Sequence, residues 1–276
     1  MNSLVKKERY KLSMSEIHLL LKEAIEIIDH AAKETDSVYY LHAGTALGAI
    51  RHNDLIPWDE DADVIIPLPC YAKLIGYLRN NDLGKFRILY REQYSSKMQA
   101  KLVLKDQDED LMCVDLFPLI GFPNDREKQI ELDKKSARIR KIYANKRVRY
   151  SYSNSWIKKV LKDLFSLYYS FYSDQYLYRQ FDKILYQYDF ESSELVTNPC
   201  GKYSLKNVIP KSWYGSPILH NLGNKEYPIP QQIDKYLKHY YKNYMKVPLK
   251  DEQDTMMNKP KYFIGTKEQY NYVFNH

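Results

Sequence analysis

Hydrophobic positions first recur with a helical period in "SMSEIHLLLKEAIEIIDHAAKE". Ile17, Leu20, Leu21, Ala24, Ile28 and Ala31 fall at the intervals of one face of an amphipathic helix. Ser13 and Glu16 stand at capping-box spacing at its start. The period then shortens. "VYYLH" (Val38 to His42) is rich in β-formers and predicts a short strand. Gly44 breaks it, and Thr45 to His52 predicts a short helix. "DADVIIP" reads as a second strand, on which Asp61 and Asp63 share one face because side chains alternate. Three more strands follow in "FRILYRE", "QAKLVLK" and "LMCVDLFPLI", with the polar "KDQDEDL" as a hairpin connection between the last two.

From about Arg126 to Gln187 the pattern is helical. "REKQIELDKKSARIRKIYANKRVRYS" is strongly charged, and the stretch that follows is apolar and tyrosine-rich. The final third is punctuated by Pro199-Cys200-Gly201, Pro210, Gly215-Ser216-Pro217, Pro228 and Pro230, with one helix in "QQIDKYLKHYYKNYM". No repeat and no low-complexity linker divides the chain. The expectation is an α+β (mixed α/β) fold, one globular unit over 1–276. Its parts are a core over 1–125, a helical region over 126–192 and a loop-rich part over 193–276.

Composition narrows this picture only modestly. Of 276 residues, 44% are hydrophobic and 28% charged, which suits a folded core rather than a disordered chain. The net charge of +7 suits an anionic substrate or surface without requiring nucleic acid. Cys70, Cys113 and Cys200 are far apart and form no CxxC pair, which points to a reduced, cytoplasmic setting. The start, "MNSLVKKERYKLS", lacks the apolar region of a signal peptide, and no run of 18 apolar residues predicts a membrane span. The 27 tyrosines read as coding bias before binding surface.

The candidate chemistry lies in "LHAGTALGAIRHNDLIPWDEDADVIIP". Acidic residues at a strand entrance are ordinarily solvated, and Pro57-Trp58-Asp59 has the form of a turn. Three features oppose that reading. Asp61 and Asp63 point the same way into an apolar strand, where like charges are costly without a cation between them. Asp115 lies inside the apolar run "MCVDLFPLI" and needs a partner. A shared Mg2+ (or Mn2+) on oxygen ligands would serve all three. Upstream, "AGTALGA" places a glycine and a hydroxyl at a strand-to-helix turn, whose N–H groups attract phosphate, with Arg51 nearby. Together these parts suit phosphoryl transfer.

The order "AGT-x-LGAIRH…IPWDEDAD…VDLFP" resembles the LicD/fukutin-type phosphotransferase family, within the nucleotidyltransferase-like superfamily. Gly44, Thr45, Leu47, Gly48, Arg51, His52, Pro57, Trp58, Asp59, Asp61, Asp63 and Asp115 stand at matching positions. "GKYSLKNVIPKSWYG" and "KEYPIPQQIDKYLKHYYKNYMKVP" resemble the family's later segments. The resemblance covers about 35–125 and 195–250. Two departures stand out: Ala43 where members often have glycine, and Tyr241-Lys242-Asn243 where a Tyr-Gly pair is usual.

The resemblance implies a nucleotidyltransferase-like core sheet flanked by helices, with a helical insertion and a C-terminal part that completes the active site. It implies transfer of a phospho-alcohol, such as phosphocholine or a polyol phosphate, from a CDP-linked donor. The acceptor would be a sugar hydroxyl of a surface glycan (lipopolysaccharide or teichoic acid) or of a lipid-linked precursor. By position, Asp61 and Asp63 would hold the metal, Asp115 would complete that site and orient or deprotonate the acceptor, and Asp59 would be a further ligand or a nearby acceptor. Gly44 and Thr45 would contact phosphate, and Arg51 would neutralise charge. His52 reads equally as a phosphate contact and as a histidine without catalytic duty. Trp58 reads as packing before stacking on a base or sugar.

Lys134, Lys135, Arg138, Arg140, Lys141, Lys146, Arg147 and Arg149 read either as a solvated helix face or as attraction to anionic lipid. With the following "WIKKVLKDLFSLYYSFY", they suggest peripheral contact with the inner face of a membrane. The rival functions are nucleotidyl transfer of NMP to a small molecule or protein, a glycosyltransferase built on Asp-x-Asp, and a basic nucleic-acid-binding module. The last leaves the carboxylates without a role, so no nucleic-acid partner is expected.

Overall fold

The computed structural model describes residues 10–91, 97–105, 113–147, 169–257, 263–264 and 266–274. After the short strand β1 (Tyr10–Lys11), helix α1 (Met14–Glu34) forms as its stripe dictates. The six positions named above are buried, with Ile25 and Ala32 beside them. The capping box closes both ways. Ser13 N–H donates to Glu16 Oε2 at 2.8 Å, and Glu16 N–H to Ser13 Oγ at 3.3 Å.

A mixed sheet carries the rest. Its spatial order is β2 (Tyr40–Leu41), β3 (Ala62–Pro67), β6 (Cys113–Phe122), β5 (Ala100–Leu104) and β4 (Phe86–Leu89). Only β3 and β6 run parallel; the other neighbours along this path are antiparallel. Helix α2 (Ala43–His52) links β2 to the loop before β3, and α3 (Leu68–Asn80) follows β3 directly. Strand β6 changes partner along its length. It pairs with β5 as far as Leu116 and with β7 (Leu195–Thr197) from Ile120. Pro118 sits between the two pairings. At that junction Tyr71 of α3 donates to Leu116 O and accepts from Ala100 N–H.

Helices α4 (Arg126–Arg147) and α5 (Asp174–Leu185) pack together, with the hydroxyls of Tyr143 and Tyr178 2.9 Å apart. Beyond β8 (Ile209–Pro210) come a hairpin of β9 (Ile218–Leu222) and β10 (Lys225–Ile229), then α6 (Ile233–Tyr241), α7 (Lys250–Met257), β11 (Phe263–Ile264) and α8 (Lys267–Phe274). Strand β11 pairs with β1, and one hydrophobic cluster runs from Leu12 to Val273.

The expected mixed α/β fold is present, with shorter elements than the sequence suggested. The strand at 38–42 narrows to Tyr40–Leu41, because His42 becomes the N-cap of α2. The helix placed in "QQIDKYLKHYYKNYM" ends at Tyr241. Arg149, most of "KDQDEDL" and most of "WIKKVLKDLFSLYYSFY" lie outside the described residues. Several tyrosines are structural. Tyr40, Tyr214, Tyr236 and Tyr240 stack in series with centroids 5.0, 5.8 and 5.0 Å apart, joining the C-terminal part to the sheet.

Candidate active site

The site begins at the start of α2. Ala43 takes φ +45°, a left-handed conformation that glycine adopts more easily. Its N–H donates to Tyr236 Oη at 3.0 Å, and that hydroxyl is hydrogen-bonded to His42 Nδ1 at 2.6 Å. Burial pulls the His42 pKa down to about 3, which keeps the ring neutral. Gly44 lies close against the acids: a Cβ there would stand 2.8 Å from Asp59 Oδ2, and that carboxylate would have to move. The acidic turn is tied down from α1, where His18 Nε2 donates to Asp59 O at 2.8 Å.

The sheet brings the other acids together. Asp63 on β3 is in register with Asp115 on β6, and Asp115 with Lys101 on β5. Neighbouring strands lie about 4.8 Å apart, so the three residues form one row across the sheet. Lys101 is only 4% exposed, and its Nζ lies 3.8 Å from Asp115 Oδ1. Gln99 Nε2 donates to the same oxygen at 3.1 Å.

This crowding shows in the titration of the acids. Burial raises the Asp59 carboxyl to about 7, helped by the charge of Asp61 and a hydrogen bond with it. Asp63 is pushed well above the carboxylate range by burial and then by Asp61, Asp115 and Asp59. Burial also raises Asp115, while Lys101 and Gln99 pull it back down.

These groups open on a cavity of about 870 Å3. One wall holds Asp59, Asp61, Asp63 and Asp115 beside Gly44. Lys97, Arg140, Lys141 and Lys202 also line the cavity, together with Asn198, Tyr203 and Tyr241. The residues of α4, the 198–203 loop and Tyr241 therefore join a site that begins at residue 42. Cys200 lines it as well, but burial pushes its thiol up to about 12, so it supplies no thiolate.

The structure separates residues that the sequence grouped. Thr45, expected at phosphate, is buried and its Oγ1 accepts from Asp63 N–H at 2.7 Å, locking α2 to β3. The N–H groups of Ala43, Thr45 and Ala46 are engaged by Tyr236 and the His42 carbonyl, so the expected backbone cradle is largely filled. Arg51, expected to neutralise phosphate, lies at the other end of α2. There its Nη1 donates to Tyr244 O at 3.0 Å and its Nε to His52 Nε2 at 3.0 Å. Trp58 packs against both, 5.7 Å from the Arg51 guanidinium and 5.6 Å from the His52 ring. None of Arg51, His52 and Trp58 lines the cavity.

Lys101 and Gln99 were missed, although a lysine on the inward face of "AKLVL" was a legible signal. A buried ammonium needs a carboxylate. Among the described residues, no three His, Cys, Asp or Glu side chains form a ready-made metal cage. The donor chemistry nevertheless fits Mg2+ or Mn2+, because hard oxygen ligands crowd together where burial and mutual repulsion already disfavour their charge.

Residues 36–158 match the family model "LicD/FKTN/FKRP, nucleotidyltransferase domain". That stretch resembles a LicD-type nucleotidyltransferase domain. Over 262 residues it is 24% identical to "Lipopolysaccharide cholinephosphotransferase LicD" of Haemophilus influenzae, covering 88% of this chain and 95% of that protein. The LicD match contains Gly44, all four clustered acids, Lys101, Arg140 and Lys141. The loop that presents Lys202 lies beyond it.

Proposed function

We propose that this chain transfers a phospho-alcohol, phosphocholine foremost, from a CDP-linked donor to a sugar hydroxyl of a surface glycan or its lipid-linked precursor, with Mg2+ or Mn2+. That it is a transferase rests on its LicD-like domain and its likeness to a cholinephosphotransferase. The observation that carries the finer reading is the row of Asp63, Asp115 and Lys101 across the sheet, with Asp59 and Asp61 beside Asp63 and Asp115 on one cavity. Like charges directly opposite on neighbouring strands destabilise a sheet. Their presence here makes sense as a device for phosphate chemistry.

In this reading a sugar oxygen attacks phosphorus, the bond to CMP breaks, and the hydroxyl proton leaves. Asp115, oriented by Lys101 and Gln99, accepts that proton. Asp59, Asp61 and Asp63 would hold the cation, which offsets charge on the phosphate oxygens. The cavity is large enough for a nucleotide. A glycosyltransferase of the doubly wound type is disfavoured. The acids lie at the N-terminal ends of β3 and β6, whereas open parallel sheets bind nucleotides at the C-terminal ends.

The test is incubation with a panel of CDP-alcohols, Mg2+ and candidate glycans, following CMP release. Turnover of other nucleotides alone, with NMP on the acceptor, would replace the reading by nucleotidyl transfer. Peripheral contact with anionic membrane belongs to the same proposal. Among the described residues, no helix is long and apolar enough to cross a membrane. Absence of salt-sensitive flotation with anionic vesicles would remove the membrane contact.

A further inference from the structure

The basic helix of the sequence has one face turned into the cavity. Ala137, Arg140, Lys141 and Ala144 line it, and they follow the i, i+3, i+4, i+7 spacing of a single stripe. The two alanines leave room beside the two cations. The opposite face of α4 is fixed in the core by Leu132, Ile139, Ile142 and Tyr143.

A second set of bonds locks this stripe to the 199–204 loop. Ser136 Oγ donates to Pro199 O at 2.7 Å, Arg140 Nη1 donates to Cys200 O at 3.1 Å, and Ser204 Oγ donates to Asp133. Lys202 is thereby held on the same cavity. Arg140 also carries an unresolved donor. Its Nε–H is buried and has no acceptor among the described residues. A buried donor left unpaired costs about 1–3 kcal/mol, and more on a charged group. Arg140 nonetheless lines the cavity, as a cation suited to phosphate oxygens.

We propose that Arg140, Lys141 and Lys202 form a phosphate-binding subsite. This inference rests on the proposed function only for the origin of that phosphate, which is the donor nucleotide or a phosphorylated acceptor. It moves phosphate recognition from the start of α2, where the N–H groups are mostly engaged, to α4 and the 199–204 loop.

The test is calorimetric titration of the full chain with CMP, cytidine and a sugar 1-phosphate at fixed ionic strength. Wild type is expected to bind CMP at least tenfold more tightly than cytidine. Arg140→Gln should reduce that preference about tenfold while leaving cytidine affinity unchanged, and Arg140→Lys should restore only part of it. Because Arg140 also clamps Cys200, Lys141→Gln and Lys202→Gln are tested alongside, and each should weaken CMP binding without lowering the melting temperature. If the sugar phosphate loses affinity in these variants and CMP does not, the subsite stands and serves the acceptor. Unchanged binding of both phosphates in all the variants would overturn it. The two proposals fail separately. Turnover of a CDP-alcohol with unchanged KM in all the variants removes the subsite but keeps the reaction. Arg140-dependent CMP binding without turnover removes the reaction but keeps the subsite.

Discussion

The two ends of helix α2 do opposite work. Ten residues of helix place them about 15 Å apart. At the first end, four carboxylates crowd a cavity, and burial and neighbouring charge raise Asp59, Asp63 and Asp115. At the last end, Arg51, His52 and Trp58 form a satisfied cluster that anchors the carbonyls of Tyr244 and Lys246. The sequence motif runs through both ends without a break. Residues close together in a motif therefore part here between a cavity and a packed cluster, and helix length sets the distance between them.

The contrast breaks most sharply under substitution of the acids. Asp63→Asn or Asp115→Asn is expected to lower kcat by about a thousandfold or more, equivalent to about 4 kcal/mol of transition-state stabilisation. Folding should survive Asp63→Asn, which removes a like-charge contact, whereas Asp115→Asn also strips buried Lys101 of its carboxylate and should lower stability. Arg51→Ala should show the reverse pattern. It should keep kcat within tenfold and lose about 1–2 kcal/mol of stability, the value of its hydrogen bonds to carbonyls and its ring contact. CMP-release kinetics and thermal melts on the same preparations distinguish the two. Loss of activity without loss of stability in Arg51→Ala would place the far end in the active site.

Lys101 sharpens the comparison at the acidic end. Lys101→Met leaves Asp115 buried without its cation, and removing one partner of a buried pair costs about 3–5 kcal/mol. Adding Asp115→Asn should recover most of that loss. A double-mutant cycle from denaturant melts checks it, and simple additivity would mean that the pair is not coupled.

Asp59 gives a pH signature. Its folded pKa, about 7, lies above its unfolded value. The stability of the protonated form is therefore complete below about pH 4 and is lost as pH rises through 7, by a few kcal/mol. His42 works the other way. Its folded pKa of about 3 lies below the unfolded value, so stability is lost as pH falls from 6.5 towards 3. Because the two trends overlap, wild-type melts alone do not isolate Asp59. The advantage of Asp59→Asn over wild type should grow from pH 5 to pH 8, and Mg2+ should shrink it at pH 8 by stabilising wild type. A constant difference across that range would mean that Asp59 ionises normally. No rise in wild-type melting temperature with Mg2+ at pH 8 would count against a cation at this site.

Much of the fold and half of the site were legible beforehand. Helix α1 announced itself through its stripe and its Ser13–Glu16 box, and the acids stood out because charge interrupted apolar strands. What stayed hidden depends on distant pairing. The row of Asp63, Asp115 and Lys101 exists only once β3, β6 and β5 have found their register. The hydroxyl that fixes His42 comes from Tyr236, 194 residues away. Likewise, the charges of α4 read as a solvated face because periodicity shows which residues share a side of a helix, not what that side meets.

The smallest effect expected concerns the backbone at the two departures from the family pattern. Ala43 sits at φ +45° beside the acids, and Lys242 at φ +55°, ψ −108° just after α6. In both places a residue with a Cβ occupies a conformation that costs it about 1–2 kcal/mol relative to a right-handed one. Glycine would relieve that strain, but it would also enlarge the unfolded ensemble by about 0.4–1 kcal/mol. Lys242→Gly should therefore stabilise the chain by about 1 kcal/mol at most, and Ala43→Gly by less, because position 43 is already held by the Tyr236 bond. The strain at 43 has one further consequence, since that residue's N–H and the His42 ring share a single tyrosine hydroxyl. Removing it with Tyr236→Phe should erase the difference between the sites, so that Ala43→Gly in that background behaves like Lys242→Gly. If Ala43→Gly remains neutral there, the strain is set by the sheet edge and not by the hydroxyl.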